Sequence, residues 1–233
     1  MVADHPAGTQ LHPLLGRSPS APLLAAFLAA LAPPDTRPPE PEVKAYTDVV
    51  YLNYRPLGLS LSFSPTNGYR PSRSTTLADI RSEDARLKCT GIDVYNHDPA
   101  AVKHQDKGKA RARDEDRWGA FPTYPVFLPS PAPEPPTPVP ASSASTPTHD
   151  TPAPFALTPS TTGGALVAAL GEPTRKGGGA SSTPSLGIWT EWTPQGTMVE
   201  WASAGLGAWD KGGESVWRCL SVFEPASSGG QAA

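Results

Sequence analysis

A short aromatic pattern occurs twice in this chain and constrains its fold more than any other feature. The segments 51–63, YLNYRPLGLSLSF, and 189–201, WTEWTPQGTMVEW, share the spacing of three aromatic residues, one proline and one glycine. Repetition of such a pattern at one constant offset indicates an internal duplication, in which two copies of one unit follow each other. The equivalent pairs are Tyr51/Trp189, Tyr54/Trp192, Pro56/Pro194, Gly58/Gly196 and Phe63/Trp201.

An apolar segment with helical periodicity precedes each copy of the pattern. Residues 20–31 start with a capping serine and an early proline and then place leucines on one side of a predicted helix. Residues 161–170 predict a second helix, with Thr161 or Thr162 as its N-cap and Gly171 at its end. We therefore expect each unit to begin with a helix.

A β-hairpin follows the helix in each unit. The proline and the glycine of the pattern have the spacing of a type I turn. The residues after the first turn alternate between apolar and polar from Leu57 to Phe63, which is typical of a strand with one buried face. A third strand is predicted at 87–95 in the first unit and at 216–223 in the second.

Composition divides the chain into five predicted parts. With 30 prolines and 21 glycines, much of the chain is a poor candidate for packed interior. One central segment has a mixed-charge run and then a Pro/Ser/Thr-rich tract, which bury too little apolar surface to offset their ordering entropy. The predicted parts are a flexible N-terminus at 1–19, repeat unit 1 at 20–96, a disordered linker at 97–154, repeat unit 2 at 155–224 and a flexible tail at 225–233. Within the linker, a short docked strand at 124–128 is the alternative to disorder.

The duplication leads to a specific expectation for the fold. One helix over three strands is too small to be stable alone, whereas two such units gain stability by sharing a sheet. The predicted fold class is therefore α+β, with two tandem helix-plus-three-strand repeats forming one shared antiparallel sheet of about six strands. Both helices are expected on one face of that sheet, which leaves the opposite face open.

Two stretches also resemble known families. The helix ending of 170–173, LGEP, together with 51–63, resembles the repeat of the β-lactamase-inhibitor-like fold, although 32–34, APP, departs from that ending in the first unit. The segment 51–63 is also similar to the "YFNYxxLGxxxxF" segment of the phagophore assembly factor family, and the chain looks like a small fungal relative. The resemblance implies a protein that binds other proteins or membranes and does not catalyse a reaction.

Charge and residue counts exclude several classes of function. A formal net charge of −3 and a pI near 5.9 remove the broad basic field that nonspecific nucleic-acid binding needs, so no nucleic acid is predicted as a partner. Cys89 and Cys219 are predicted to be buried, reduced thiols, without a metal site or a disulfide. All five histidines fall in segments predicted to be loop or disordered, so neither a cofactor, a metal nor a catalytic residue is predicted.

The predicted helix at 20–31 also resembles the hydrophobic region of a secretory signal, with Arg17 before it and a small-x-small site at 30–32. Against secretion, the preceding region is long and contains Asp4, and the second copy of the helix lies deep inside the chain. The predicted location is therefore cytoplasmic, with secretion as the alternative.

The repeated strands suggest a surface for a partner. Two aromatic residues three apart on a strand point to opposite faces, so one of each pair should be in the core and the other exposed. Trp and Tyr dominate the hot spots of protein interfaces. A mixed aromatic and polar set on the exposed face is therefore the predicted binding site for an unidentified protein partner: Tyr51, Asn53, Trp189, Glu191 and Glu200.

A second candidate site binds anions. In the segment 175–179, RKGGG, consecutive glycine amides beside two cations resemble a phosphate cradle, although the spacing of a P-loop is missing. A flexible connection is the competing interpretation. The residues are Arg175, Lys176, Gly177, Gly178 and Gly179, and together with basic residues of 103–117 they would serve a phosphoinositide membrane.

Three functions result from these patterns. The first is a non-enzymatic protein-binding module that presents an open sheet face to its partner. The alternative is a phosphoinositide-membrane adaptor. The third is a small hydrolase using a pair among Asp93, Glu172, Glu191 and Glu200, although solvated strand positions explain these carboxylates better.

Overall fold

An antiparallel sheet of eight strands forms the centre of the computed structural model, which describes residues 8–96, 118–131, 153–179, 187–205 and 207–226. Its strands are β2 (Glu42–Ala45), β3 (Val50–Tyr54), β4 (Leu59–Pro65), β5 (Leu87–Tyr95), β8 (Arg175–Gly177), β9 (Gly187–Trp192), β10 (Thr197–Ala204) and β11 (Trp217–Phe223). They are arranged in the order β2-β3-β4-β5-β11-β10-β9-β8, so the first half of the sheet comes from the first unit and the second half from the second.

The duplicated pattern forms two β-hairpins with the same register. In the first hairpin Tyr54 pairs with Leu59, and in the second Trp192 pairs with Thr197 at the equivalent position. Each turn is one 3-10 turn that contains the proline, because proline fixes φ near the value that this turn needs. Each turn ends on a glycine in the left-handed region, Gly58 or Gly196, where a residue with a Cβ would be strained.

The two halves of the sheet meet where β5 pairs with β11 in antiparallel orientation. Asp93 of β5 lies opposite Ser221 of β11, and the pairing on either side of these two residues is symmetric. Ser60 lies opposite Asp93 just as Met198 lies opposite Ser221, and both pairs occupy equivalent positions of the two units. The sheet therefore has an approximate two-fold axis that passes through the β5–β11 seam.

Both longer helices contribute leucines to the hydrophobic core beside the large sheet. The helix α1 (Pro22–Leu31) begins with a proline, and α3 (Gly163–Leu170) begins after Thr162, whose hydroxyl accepts a bond from the Ala165 amide. Leucines of both helices belong to the same hydrophobic cluster as the apolar residues of the large sheet. The short helix α2 (Leu77–Ser82) has a capping box formed by Thr76 and Asp79 and buries Ile80.

A second, three-stranded sheet completes the core. Its strands are β1 (Thr9–Gln10), β6 (Val126–Leu128) and β7 (Phe155–Leu157), with β6 in the middle. Leu11, Val126, Leu128 and Leu157 are fully buried in the same cluster as the leucines of the helices. The indole nitrogen of Trp217 donates to the Thr158 carbonyl over 2.8 Å, which connects this small sheet to the large one.

The predicted fold class is wrong. The structure is mostly β, and its strands form two sheets of eight and three strands instead of one shared sheet with helices on one face. The error has a physical cause: the strands of the small sheet have two or three residues each, and two of the three lie in the predicted flexible N-terminus and the predicted linker. Each unit also contributes four strands to the large sheet instead of three. The additional strands are β2 and β8, whose residues were predicted to be connections.

Two predicted boundaries are corrected by the same observations. Within the predicted flexible N-terminus, residues 8–19 include a strand and the buried side chains of Leu11 and Leu14. Within the predicted linker, residues 118–131 bury Phe121 and include β6, which lies within the short strand considered at 124–128. Residues 1–7, 97–117, 132–152 and 227–233, on which the other parts of these predictions fall, lie outside the described residues.

The two turn glycines provide a test of the duplicated hairpin. A Cβ at Gly58 would lie 2.3 Å from the Gly119 carbonyl oxygen, and a Cβ at Gly196 would lie 2.1 Å from the Phe223 carbonyl oxygen. We expect Gly58→Ala and Gly196→Ala to lower the free energy of unfolding by about 2–4 kcal/mol each, measured by chemical denaturation.

Gly68→Ala is the matched control, because Gly68 also has a positive φ, of 73°, but has nothing within 4 Å of the added Cβ. It should cost only the left-handed penalty of about 1 kcal/mol. Equal losses in all three variants would contradict the described turns.

Candidate functional site on the open face of the sheet

The face of the large sheet that points away from the core is the candidate site, and we call it the open face. Its larger side chains are half-buried, and among the described residues none of them belongs to the hydrophobic core or to the residues packed against it. They alternate along the strands with core residues, as Tyr51 does with Val50 and Leu52. These larger side chains are Tyr51, Tyr95, Trp189, Met198 and Phe223.

One row of paired residues crosses the open face through all eight strands. Neighbouring members of this row are register partners, so they lie side by side on the same face. The row is polar along almost its entire length, and its only apolar member is a methionine. In spatial order it consists of Glu42, Asn53, Ser60, Asp93, Ser221, Met198, Glu191 and Arg175.

The middle of the open face carries small side chains. Ser60, Ser62, Gly91 and Ser221 surround Asp93 on the three central strands. The bulky aromatic residues and Met198 lie around this group. Asp93 is therefore surrounded by residues that are smaller than those farther out on the face.

Most charged groups of the open face are paired within the protein. Glu42 accepts from Arg55 over 2.6 Å, the Glu191 carboxylate lies 3.3 Å from the Arg175 guanidinium, and the Glu200 carboxylate lies 3.5 Å from Arg218. These ion pairs neutralise the periphery of the face. They leave the carboxylate in the centre as the exception.

Asp93 has a neutral partner and, among the described residues, no cation within ion-pair distance. Its Oδ1 accepts a hydrogen bond from the Ser221 hydroxyl over 2.6 Å. Burial raises the pKa of the Asp93 carboxyl above its usual value, and the bond from Ser221 opposes this shift. The charged form of Asp93 therefore costs folding free energy in the isolated protein.

An aromatic stack closes one end of the open face. Trp118 stacks on Tyr95 with ring centroids 4.1 Å apart, and the Arg55 guanidinium lies 5.2 Å from the centre of the Trp118 ring. The amide of Gly119 donates to the Arg55 carbonyl and the amide of Phe121 donates to the Tyr95 carbonyl, which fix this segment. Trp118 belongs to the predicted linker, so sequence reasoning missed it.

All five residues predicted to bind a partner lie on the open face: Tyr51, Asn53, Trp189, Glu191 and Glu200. The predicted exposure of two of them is wrong, because Asn53 is 6% and Glu191 is 8% exposed. Asn53 accepts a hydrogen bond from Ser60, and Glu191 accepts one from Thr193 while it pairs with Arg175. Both side chains can be buried because neighbouring residues supply hydrogen-bond partners for their polar groups.

The aromatic pairs of the two hairpins divide between the faces as predicted. Tyr54 and Trp192 are buried in the core, whereas Tyr51 and Trp189 are half-buried on the open face. The role of Asp93 was missed, since its alternation with Ile92 and Val94 predicted only a solvated strand position. Its register partner on β11 was needed to place it at the centre of the sheet.

The predicted anion site is not assembled by the structure. Residues 175–177 form the strand β8 instead of a flexible connection, so successive side chains point to opposite faces. Arg175 lies on the open face, 6.0 Å from the centre of the Trp189 ring, whereas Lys176 is on the other face beside Thr190. The phosphoinositide function stays a prediction, and the basic residues of 103–117 lie outside the described residues.

Gly177, Gly178 and Gly179 pack against the protein instead of forming a cradle for an anion. A Cβ at Gly177 would lie 2.6 Å from the Trp189 ring, and one at Gly178 would lie 2.1 Å from the Gly187 carbonyl oxygen. Gly179 faces Ile188 and Trp209. These glycines therefore allow close approach of neighbouring side chains and main chain.

The predicted chemistry of Cys89, Cys219 and the histidines can be compared with the structure in part. Cys89 and Cys219 are free, buried thiols, as predicted. The Nε2 atom of His12 is 2.8 Å from the Gln195 carbonyl oxygen, and burial lowers the pKa of this imidazole. In the described ranges no group of three His, Cys, Asp or Glu residues is arranged to hold a metal ion.

The helices in the described part of the chain are too short or too polar to span a bilayer. Comparisons with protein-family models, with curated proteins and with solved structures give no match.

The raised pKa of Asp93 predicts how stability depends on pH. Burial favours the protonated carboxyl in the folded protein, so the folded-state pKa lies above the ordinary value of 3.8. The contribution of this group to the free energy of unfolding is therefore complete below pH 3.8 and is lost as the pH rises through the folded-state pKa. Asp93→Asn keeps an acceptor for Ser221 and has no charge to bury. We expect the melting temperature of this variant to match that of the wild type near pH 3.5 and to exceed it at pH 7.

Glu200→Gln is the control for this prediction, because Glu200 has the cation Arg218 beside it and should gain no stability at pH 7. An Asp93→Asn variant that melts below the wild type at pH 7 would show that the carboxylate is stabilised within the protein.

Proposed function

We propose that this protein is a non-enzymatic protein-binding module whose open face binds a partner that presents a basic side chain. The observation that carries the proposal is Asp93, a half-buried carboxylate at the centre of the open face without a cation beside it among the described residues. Buried carboxylates are expensive unless they are paired, and such groups are retained where function needs them.

A basic side chain of a partner supplies what this carboxylate lacks. An ammonium or guanidinium group that reaches the Asp93 oxygen not bonded to Ser221 forms a charge-assisted hydrogen bond in a partly desolvated site. The hydroxyl group of Ser62, which is half-buried on the neighbouring strand, offers a further acceptor. Because the peripheral acids Glu42, Glu191 and Glu200 are already paired, the attraction is concentrated on the centre of the face.

The larger side chains around the centre of the open face, which we call its rim, have the composition of a protein interface. Tyr51, Tyr95, Trp189 and Met198 are of residue types that are enriched in interfaces, and they are half-buried outside the core. A rim of large apolar groups around one polar contact excludes water from that contact when a partner binds. The rim therefore strengthens the central ion pair and adds contact area of its own.

The thiol of this face is unsuited to nucleophilic chemistry. Burial and the nearby carboxylates of Asp93 and Glu200 raise the pKa of Cys219 well above its usual value, so the thiolate is disfavoured. The resemblance of 51–63 to binding proteins of the β-lactamase-inhibitor-like fold and of the phagophore assembly factor family points to the same kind of function. Binding is therefore proposed rather than hydrolysis.

The proposal is tested with two matched tryptophan variants of the full chain. Trp189 lies on the open face, whereas Trp209 is 42% exposed and lies elsewhere, on a loop beside Gly178. Immobilised wild type, Trp189→Ala and Trp209→Ala are incubated with extract of the native cell, and the bound proteins are quantified by mass spectrometry. We expect a partner whose binding is about 30-fold weaker for Trp189→Ala and unchanged for Trp209→Ala, provided that both variants are folded.

The purified partner then tests the role of the carboxylate. Asp93→Asn should weaken its binding and reduce the dependence of its affinity on salt, because one ion pair is lost. A partner that is lost with Trp209→Ala but kept with Trp189→Ala, or one whose affinity ignores Asp93→Asn, would overturn the proposal. Capture of lipid vesicles alone would favour the membrane alternative.

A further inference from the structure

The second unit contains a cavity that is separate from the open face. It has a volume of about 300 Å³ and lies between α3, the strands β8 to β10 and the loop at 207–213. Its sheet residues belong to the face that carries the core, since Thr190 pairs with Lys176 and Val199 in register. The side chains that define it are Val167, Lys176, Ile188, Thr190, Trp201 and Trp209.

The corresponding positions in the first unit carry buried apolar side chains. By the offset of the repeated pattern, Thr190 corresponds to Leu52 and Trp201 to Phe63. The helices correspond with nearly the same offset, which places Leu24 at the position of Gly163. Leu24, Leu52 and Phe63 are 0–2% exposed in the core of the first unit.

Thr190 has a smaller apolar side chain than Leu52 and faces the cavity, whereas the space beside Gly163 is occupied by the Gly212 main chain. An unfilled apolar space lowers stability, so its presence in the second unit needs an explanation. Binding of a ligand is such an explanation.

Two tryptophans, Trp201 and Trp209, line the cavity. The Trp201 indole nitrogen donates to Thr190 Oγ1 over 3.0 Å, and the Trp209 indole nitrogen donates to the Gly178 carbonyl over 3.3 Å. Since both N–H groups are bonded to the protein, the two indoles offer ring surface to a ligand. Gly164 and Gly213, which are joined by a 2.8 Å main-chain hydrogen bond, add a wall without side chains.

We propose that this cavity binds a small, uncharged aromatic molecule. Its volume is at the lower limit of ligand pockets, which suits a compound of one or two rings. Ring faces of Trp201 and Trp209 favour an aromatic ligand over an aliphatic one, because offset and edge contacts between rings add to the burial of area. Lys176 and Glu172 are both exposed at the cavity and carry opposite charges, so they select no net charge on the ligand.

Indole is the probe for this proposal. It is titrated into the full-length protein while the indole N–H signals of Trp201 and Trp209 are followed by NMR, with cyclohexanol as an aliphatic ring for comparison. We expect saturable shifts of both signals with a dissociation constant of about 1 mM or tighter for indole, and at least about tenfold weaker binding of cyclohexanol.

The double variant Thr190→Leu/Trp201→Phe restores two residues of the first unit: the leucine adds an apolar side chain to the cavity, and the phenylalanine removes one of its two indole walls. It should remain folded, because Leu52 and Phe63 pack in the first unit, and it should bind indole at least about tenfold more weakly. Trp209→Ala removes the exposed wall and should weaken binding even if the double variant does not fold. Trp189→Ala, on the open face, should bind indole like the wild type.

Two results would overturn the proposal. One is chemical-shift changes that do not saturate up to the solubility limit of indole; the other is indole binding that neither Trp209→Ala nor the double variant Thr190→Leu/Trp201→Phe changes. Neither result bears on the open face. The failure of this proposal and the failure of the protein-binding function are therefore distinguishable.

Discussion

The antiparallel pairing of β5 with β11 is the interaction on which the rest of the structure depends. Without it, each unit would expose the edge of a four-stranded sheet together with apolar side chains at that edge. Ile92 and Val94 of β5 and Leu220 and Val222 of β11 are register partners and have no exposed surface. The seam therefore joins two small hydrophobic layers into one core, which a single unit is too small to provide.

The same seam creates the proposed binding site. Residues on a strand alternate between faces, so the pairing that brings apolar side chains together on the core side brings Asp93 and Ser221 together on the other. The centre of the open face is therefore contributed by both units. Asp93, which has no cation beside it among the described residues, lies on a central strand of the sheet, which suits a site that must keep its geometry.

Duplication leaves each copy free to change its own residues. The first unit fills its core with Leu24, Leu52 and Phe63, whereas the second has a cavity at the equivalent place. On the open face, Asn53 of the first unit corresponds to Glu191 of the second, which is paired with Arg175. The two halves thus share their backbone pairing but differ in the chemistry of their surfaces.

Local features of the chain were predictable where one strong signal marked them. The hairpins could be read from the repeated proline and glycine, the strand Leu87–Tyr95 from alternation, and the end of α3 from Gly171. The small sheet could not, because its strands are too short to show a period and pair with residues far away in sequence. For the same reason the predicted fold class, with a single sheet, was wrong.

The candidate site was predictable in its position but not in its details. Alternation placed Tyr51 and Trp189 on the correct face, since it needs only one strand. The burial of Asn53 and Glu191 depends on partners on neighbouring strands, and the position of Asp93 depends on β11, far away along the chain. The separation of Arg175 from Lys176 required β8 to be recognised as a strand, and RKG carries no strand signal.

Native-state hydrogen exchange tests whether the seam holds both units in one cooperative structure. We expect the amides of β5 and β11 that bond across the seam to exchange only through global unfolding, with the same free energy as the amides of the inner hairpin strands β4 and β10. If the amides of one unit exchange through a separate opening of much lower free energy while the other unit stays protected, the units are independent and the seam does not hold them together.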